Sequence, residues 1–413
     1  MSSQEATSVV RIAIIGINGF GSVHLKQTLA LAEAGYVRLI AVSDLKISEE
    51  LAAQLTENGT RLYSDYKEML ATEREADLVI VSTPIHLHAR MGIDVMEAGF
   101  DLLLEKPPAA LIDDVDRLIE VSERTGRRCA VNFSSLPLEA RSQINEWLEQ
   151  GKIGDVQAVK AIGLWQRTEG YYSRTPWAGK LSIGGQPVLD GTVMNPFAHT
   201  LHMVLQLATL PALSKGAPNE PTQVQAELYR ANAIEGEDTS CIRVEMSGGP
   251  SAYFYATVCA NNPVVKPRVM IEGTGGTITC DYTESVTLQN GEETLRYDNP
   301  EQWPMSSNLM NFIRVLRGEE QELRSPLAKA RLYMQAANGA FESASPIVTV
   351  PEDYIARHLL KDDQLSICIE GIEAEMNKAF DSRKLLSETG VPWAKPSQPF
   401  RLAGYKTFSA AVR

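Results

Sequence analysis

The stretch RIAIIGINGFGSVH, residues 11–24, runs an apolar segment directly into closely spaced glycines. Gly16, Gly19 and Gly21, with Asn18 and Phe20 between them, have the spacing of a turn that lets a phosphate approach the backbone. Glycine permits the tight turn, and a helix opening near Gly21 would offer unpaired N–H groups and positive potential to an anion. The third place of the dinucleotide fingerprint holds Asn18, not glycine. Asparagine is the non-glycine residue that best tolerates positive φ, so it weakens the fingerprint without abolishing it. The next apolar run ends at Asp44, 23 residues beyond Gly21. A carboxylate there accepts the ribose hydroxyls of NAD and repels the 2′-phosphate of NADP, so NAD is the expected cofactor.

Other residues suggest a substrate. The segment LWQRTEGYYSRTPWAGK, residues 164–180, carries Tyr172, Arg174, Trp177 and Lys180. Aromatic faces suit the C–H faces of a sugar ring, and the cations suit hydroxyls or a carboxylate. If Arg174 and Lys180 both point inward, an acidic sugar fits. MNPFAH reads as a helix start, with Asn195 as N-cap and Pro196 in the first helical position. His199 then lies near the positive end of that helix, which keeps its ring neutral and makes it the preferred general base. His202 lies three residues on, on the same face. His86 with His88, and His199 with His202, have the spacing of ligand pairs, but no acidic residue is spaced to complete a set. No metal is expected.

These residues need elements to position them. The 413 residues suffice for two substantial cores, and 44% hydrophobic with 22% charged content is ordinary for a globular protein. A formal charge of −13 argues against nucleic acid or an anionic membrane as partner. The first residues lack a basic start followed by an apolar core, so no secretory signal is expected. Five irregularly spaced cysteines read as reduced, buried thiols of a cytoplasmic protein.

Residues 8–133 alternate short apolar runs with amphipathic stretches, which implies a doubly wound parallel sheet, a Rossmann-type α/β domain. Residues 134–348 read as an α+β domain with an open antiparallel sheet, its strands at 155–165, 222–231, 239–246, 251–260, 267–273 and 276–289. Helices are expected near 138–151, 305–317 and 326–344. Residues 349–413 form an extension that embraces a neighbouring subunit or caps the active site.

STPIHLHARMGIDVMEAGFDLLLEKPPA and GGQPVLDGTVMNPFAHTLHMVLQLA resemble the glucose–fructose oxidoreductase, inositol dehydrogenase and MocA-like family. There Thr-Pro-Asn-x-x-His closes the fourth strand and Glu-Lys-Pro follows the fifth. Here Thr83, Pro84 and His88 match, Ile85 replaces the asparagine, and Glu105, Lys106 and Pro107 match fully. The resemblance implies that Thr83, Pro84 and His88 wall the cofactor and that Glu105 orients Lys106 or the cofactor end. It places the Lys106 amine where it touches substrate hydroxyl and cofactor and stabilises an alkoxide. It aligns His199 with the family histidine and Asn195 with the family aspartate, leaving Asp190 as the nearest carboxylate, five residues upstream.

The resemblance implies an NAD-dependent dehydrogenase of a sugar, polyol or glycoside, associating as a dimer or tetramer through the sheet face. Redox-assisted glycoside cleavage with recycled NAD, or a non-catalytic sugar or nucleotide sensor, are the rival readings. GINGFG also resembles the start of glyceraldehyde-3-phosphate dehydrogenase, but no cysteine has that enzyme's nucleophile setting.

Overall fold

A computed structural model describes residues 9–213, 219–261, 265–282, 284–291, 293–360 and 364–410. The first eight residues, read above for a leader, lie outside the described residues. The chain forms two compact units: residues 1–109, 114–133 and 300–330 in the first, and 110–113, 134–299 and 331–413 in the second.

Along the first part of the chain lie β1 (Val10–Ile15), α1 (Gly21–Glu33), β2 (Val37–Ser43), α2 (Glu49–Glu57), β3 (Arg61–Tyr63) and α3 (Tyr66–Thr72). They are followed by β4 (Leu78–Val81), α4 (Ile85–Glu97), β5 (Asp101–Leu104), α5 (Ile112–Thr125) and β6 (Cys129–Val131). The six strands form one parallel sheet in the order β3-β2-β1-β4-β5-β6. Its central strands read IAII, LVIV and LLL because helices cover both faces, leaving no place for a polar residue. The strand order reverses between β1 and β4, and ligands of such sheets bind outside the carboxyl ends at that point. The chain leaves β1 into the Gly16 turn and leaves β4 into Thr83–Pro84, so both motifs flank the reversal.

The rest of the chain begins with α6 (Leu138–Glu149), β7 (Val156–Leu164), α7 (Glu169–Ser173), the hairpin β8 (Ser182–Ile183) and β9 (Gln186–Pro187), and α8 (Ala198–Leu213). There follow β10 (Pro221–Arg230), β11 (Thr239–Met246), β12 (Ser251–Thr257), β13 (Arg268–Gly273), β14 (Thr277–Asp281), β15 (Ser285–Gln289) and β16 (Thr294–Asp298). Then come α9 (Asn308–Leu316), α10 (Leu327–Ala344), β17 (Val348–Thr349), β18 (Ile355–Leu359), β19 (Leu365–Ile369), α11 (Ile372–Ser382) and β20 (Phe400–Arg401). Helix α9 belongs to the first unit. Ser307 caps it by accepting the Met310 N–H, and Leu309, Met310, Phe312 and Ile313 are buried in one cluster with Ile12, Ile14, Leu31 and Leu39.

The second unit's sheet differs from the expected antiparallel meander. It is mixed: β7 lies between β12 and β13, parallel to the first and antiparallel to the second. The single strand expected over 276–289 is two, β14 and β15, with Tyr282 left-handed at φ 44° between them.

The sheet face expected to be open is covered by the chain itself. On β7, Gly163 turns toward Phe197, just before α8, where an added Cβ would come within 2.2 Å of the ring. Lys160 and Ile162, of opposite parity, face the other way. Lys160 Nζ sits 3.3 Å from Phe380 O in α11 and 2.9 Å from Glu272, and Ile162 joins a buried cluster with Tyr229, Tyr255, Ile372, Met376, Phe380 and Trp393. The extension therefore packs on its own unit's sheet, a finding the expectation of a neighbour-embracing or site-capping tail did not contain. Among the described residues, no helix is long and apolar enough to cross a membrane.

Candidate functional site

In the first unit the glycine turn is held from both sides. Gly16 has φ +84°, and a Cβ on it would meet Ser82 O at 2.3 Å, so only glycine fits between the ends of β1 and β4. The other left-handed residue of the turn is Gly19. Asn18 does not take positive φ, contrary to the role expected of it. Its side-chain amide instead donates to Lys46 O at 2.6 Å, tying the turn to the loop after β2. Phe20, 54% exposed, precedes α1 without capping it, and the first turn of α1 holds no acidic residue. An uncapped helix start without a carboxylate keeps its positive potential, as a dinucleotide pyrophosphate requires.

Asp44 stands beside this turn. Its Oδ2 accepts the N–H of Ile17 at 2.8 Å and of Asn18 at 3.3 Å, and Oδ1 accepts the Lys46 N–H at 3.1 Å. The carboxylate thus orders the turn and has acceptor positions left for ribose hydroxyls. On these observations the residues present fit NAD: a glycine cradle, an anion-ready helix start and an acid at the end of β2.

Past β5 a buried polar cluster supports Lys106. Glu105 is 5% exposed; its Oε1 lies 2.7 Å from His24 Nε2 and accepts the Asn132 amide at 2.5 Å, while Oε2 accepts the Lys106 N–H at 3.0 Å. Burial would raise this carboxyl, but the His24 hydrogen bond and charge, the Lys106 charge and the Asn132 amide outweigh it and hold the group at about 2. Lys106 itself is half-buried. His24 and Asn132 were not singled out from sequence; the available signals were a histidine three residues into α1 and a polar residue closing β6.

A test of this cluster follows from the sign of the shift. The carboxyl's folded value lies below its ordinary value of 4.5, so its stabilisation is complete above about pH 4.5 and lost as pH falls through about 2. The difference amounts to about 3 kcal/mol. Denaturant unfolding across this range should show that acid loss in the native chain and a flatter profile in Glu105→Gln. Equal pH slopes in both would refute the assignment.

His88, expected to help wall the cofactor, is enclosed between two loops of the first unit. It is 1% exposed, with Nδ1 2.7 Å from Pro107 O and Nε2 2.6 Å from Thr83 O. It bridges the loop after β4 to the loop after β5, and its burial disfavours the charged ring. Thr83 and Pro84 are half-buried, with Pro84 directly preceding α4.

The second unit gathers its own cluster. Asp190 is 2% exposed; Oδ2 accepts the Gly179 N–H at 2.6 Å and Oδ1 accepts the Asn195 amide at 2.8 Å. Burial raises its carboxyl against these bonds. The same Asn195 amide donates to the Tyr171 hydroxyl at 3.1 Å. Helix α8 begins at Ala198, so Asn195 and Pro196 precede it and do not fill the N-cap and first helical positions expected of them. Leu189, directly before Asp190, is left-handed at φ 53° in a buried setting that overrides its preference.

His199 is half-buried in α8, and its Nδ1 accepts the Ser134 N–H at 3.0 Å. A backbone N–H only donates, so the neutral ring carries its proton on Nε2 and presents a donor there. That tautomer does not suit the general base expected from sequence.

Of the expected substrate residues, Arg174 lies with its guanidinium carbon 3.7 Å from the Tyr171 ring centroid and 5.8 Å from that of Trp177, and donates to the Tyr171 hydroxyl. Tyr172 packs edge-on against Tyr171 and is largely enclosed. Lys180 does not join them: it is exposed and paired with Glu235 at 2.9 Å. His202 is 2% exposed with its ring edge-on to Tyr333, a packing position, not a surface that meets substrate. Tyr171, the residue on which this cluster converges, was missed because its neighbours Asn195 and Arg174 meet it only in the fold.

A parallel Rossmann sheet with this turn, joined to a mixed-sheet unit, defines a nucleotide-dependent oxidoreductase fold. Residues 10–133 match the model of the oxidoreductase family with NAD-binding Rossmann fold, GFO_IDH_MocA, and residues 142–279 match the GFO/IDH/MocA C-terminal domain. The chain belongs to the GFO/IDH/MocA oxidoreductase family, whose first domain binds NAD. Over 186 residues it is 33% identical to the uncharacterized oxidoreductase ORF334 of Rhizobium meliloti, covering 44% of this chain and 52% of that one. Over 156 residues it is 30% identical to dTDP-3,4-didehydro-2,6-dideoxy-alpha-D-glucose 3-reductase of Streptomyces violaceoruber, covering 38% and 45%. The matches thus span about half the length of these relatives. Levoglucosan dehydrogenase, solved with NADH and levoglucosan, shares the fold at TM-score 0.66 and 17% identity, over 82% of this chain and 98% of that one.

Proposed function

We propose that the protein is a cytoplasmic NAD-dependent oxidoreductase that removes hydride from the carbon bearing a secondary hydroxyl of a sugar, polyol or glycoside. The observation that carries the reading is the uncapped, acid-free start of α1 behind Gly16, with the Asp44 carboxylate beside it. The dTDP-sugar reductase and levoglucosan dehydrogenase among its relatives support a carbohydrate substrate. The five cysteines, all buried and free, support a reducing compartment.

NAD, when bound, supplies the hydride acceptor. The chain's own residues must take the hydroxyl proton and steady the oxygen that loses it. Lys106, a cation beside Glu105 at rest, takes the hydroxyl proton at Nζ after releasing its own proton to solvent. His199, with Nδ1 occupied by the Ser134 N–H, donates from Nε2 to the oxygen. These two roles are the reverse of those expected from sequence. Asp190 and Asn195 fix Tyr171, and His88 fixes the loops that carry Thr83 and Lys106. Any self-association uses a surface other than the sheet face beneath α11.

The first test is NAD binding by calorimetry, then NADH absorbance on adding a panel of sugar alcohols and glycosides. No affinity for NAD overturns the reading. Glycoside cleavage without net NADH would favour recycled cofactor, and binding of both ligands without turnover would favour a sensor. Asp44→Ala should raise the Kd for NAD about tenfold, the scale of a lost charge-assisted hydrogen bond, and leave NADP less affected. A larger loss for NADP would remove the NAD preference.

A further inference from the structure

We propose that Ser366, in β19 of the extension, is a positioning residue for the substrate: it anchors the extended segment 165–168 and through it sets Tyr171 against Asn195. This rests on the dehydrogenase reading above and gives the extension a task beyond covering the sheet.

Helix α7 has little of its own to hold it. It is five residues long, none of them is buried, and Thr168 before it makes no side-chain cap. A helix that short is not stable by its own hydrogen bonds. Yet it carries Tyr171, on which the polar cluster converges, and leads into Arg174. Its place is therefore set by the segment before it and by what packs on that segment.

Segment 165–168 is held from two sides. On one side it runs beside the chain that follows β12. The Trp165 N–H donates to Thr257 O at 2.9 Å, the Arg167 N–H donates to Val258 O at 3.0 Å, and Gln166 pairs with Cys259 in an isolated bridge. On the other side stands β19. Ser366 is fully buried, pairs with Thr168 in an antiparallel bridge, and donates its hydroxyl to Arg167 O at 3.0 Å. Gly170 makes the next contact with the extension, since a Cβ there would lie 2.4 Å from Gln364 Oε1.

From Arg167 and Thr168 the constraint reaches Tyr171 by two routes. The Arg167 guanidinium carbon lies 3.7 Å from the Tyr171 ring centroid, and Thr168 O accepts the Tyr171 N–H at 3.1 Å. The Tyr171 hydroxyl receives the Asn195 amide at 3.1 Å, and the same amide reaches Asp190 at 2.8 Å. Ser366 is enclosed, so it acts through these residues and not by touching substrate. Removing its hydroxyl frees the Arg167 carbonyl at the start of both routes.

The test is Ser366→Ala in the full chain, with NAD and the best substrate of the sugar panel, read as NADH formation. Lys106 and His199 keep their own supports, the Glu105 carboxylate and the Ser134 N–H. KM for the sugar should therefore rise about three- to tenfold, the scale of one lost hydrogen bond, while kcat and the Kd for NAD stay within about twofold. Amide hydrogen exchange read by mass spectrometry should show residues 165–174 about three- to tenfold less protected, with α8 unchanged. Ile372→Val is the control. It loosens the cluster under α11 without touching segment 165–168, so it should lower Tm and move neither KM nor that exchange.

An unchanged KM, a fall in kcat alone, or an equal KM rise in Ile372→Val would overturn the proposal and leave the dehydrogenase reading intact. If no sugar yields NADH, the dehydrogenase reading fails, and exchange alone decides the anchor. Loosening of 165–174 in Ser366→Ala then supports it, and native protection refutes it.

Discussion

Replacing Lys106 with alanine should lower turnover about 1000-fold or more while NAD affinity stays within a few-fold of the native chain. The expectation follows from what surrounds this residue. Glu105 receives the Lys106 N–H, and is itself held by His24 and Asn132, so the backbone that presents the amine is fixed from inside the first unit. The turn that holds the pyrophosphate, Gly16 to Gly21, is separate and should survive the change. General acid–base catalysis contributes about 10²–10⁴-fold, and loss of one preorganised group at a developing oxyanion costs about 10²–10³-fold. Lys106 carries both tasks once it has taken the proton.

Lys106→Arg separates them. A guanidinium keeps the charge but does not give up or accept a proton at working pH, so it restores little if the amine is the base. Single-turnover hydride transfer, followed by NADH absorbance with NAD binding measured in parallel, reads the effect. Turnover within tenfold of native in Lys106→Ala would remove Lys106 from the chemistry.

The parts of this architecture that were legible in the sequence are those in which one local rule decides the outcome. The strands β1, β4 and β5 are continuous apolar runs because both faces are covered, and no other arrangement uses such short runs between amphipathic stretches. The glycine turn was legible for the same reason, since its spacing is set by backbone contact with Ser82. The conformation of Asn18 was not, because Gly16 and Gly19 supply the left-handed residues and leave Asn18 free to bind Lys46 O.

The cluster around Tyr171 was only half visible. Arg174 and Trp177 stand out by type, but the pairing of Asp190 with Asn195 lies directly after a left-handed leucine, a conformation propensity argues against. Lys180 stands out equally by type, yet Glu235 claims it, 55 positions along the chain. Likewise, an amphipathic helix announces a buried face without naming its core. Nothing local in Leu309, Met310, Phe312 and Ile313 directs α9 back to the first unit, and the parallel pairing of β7 with β12 is a long-range choice.

Ending the chain at Thr349 should yield a protein that no longer remains folded and monodisperse, the second large effect expected here. The extension supplies Ile369, Ile372, Met376, Phe380, Leu385, Leu386, Val391 and Trp393 to the buried cluster over the sheet. Their loss uncovers Ile162, Tyr229 and Tyr255, each now buried. Re-exposing a large apolar side chain costs about 1.5–3 kcal/mol, and a domain holds only about 5–15 kcal/mol in total. Ordering the extension offsets part of this gain in the native chain, so the sum of side chains is an upper bound.

Polar chemistry points the same way. Lys160, 3% exposed, lies against the Phe380 carbonyl and ring as well as Glu272. Buried Glu227 receives the Tyr229 hydroxyl and the Ser387 N–H. Removing the extension strips partners from both ions at once. The sheet face would then expose a contiguous apolar patch with a charge in its middle, a surface that recruits another copy. Sedimentation velocity and far-ultraviolet circular dichroism of the shortened chain should report association or loss of the cooperative thermal transition. A shortened chain that stayed monomeric with an unchanged Tm would show that this cover is dispensable. A milder variant separates packing from deletion: Phe380→Ala should cost about 3–5 kcal/mol with the rest of the extension in place.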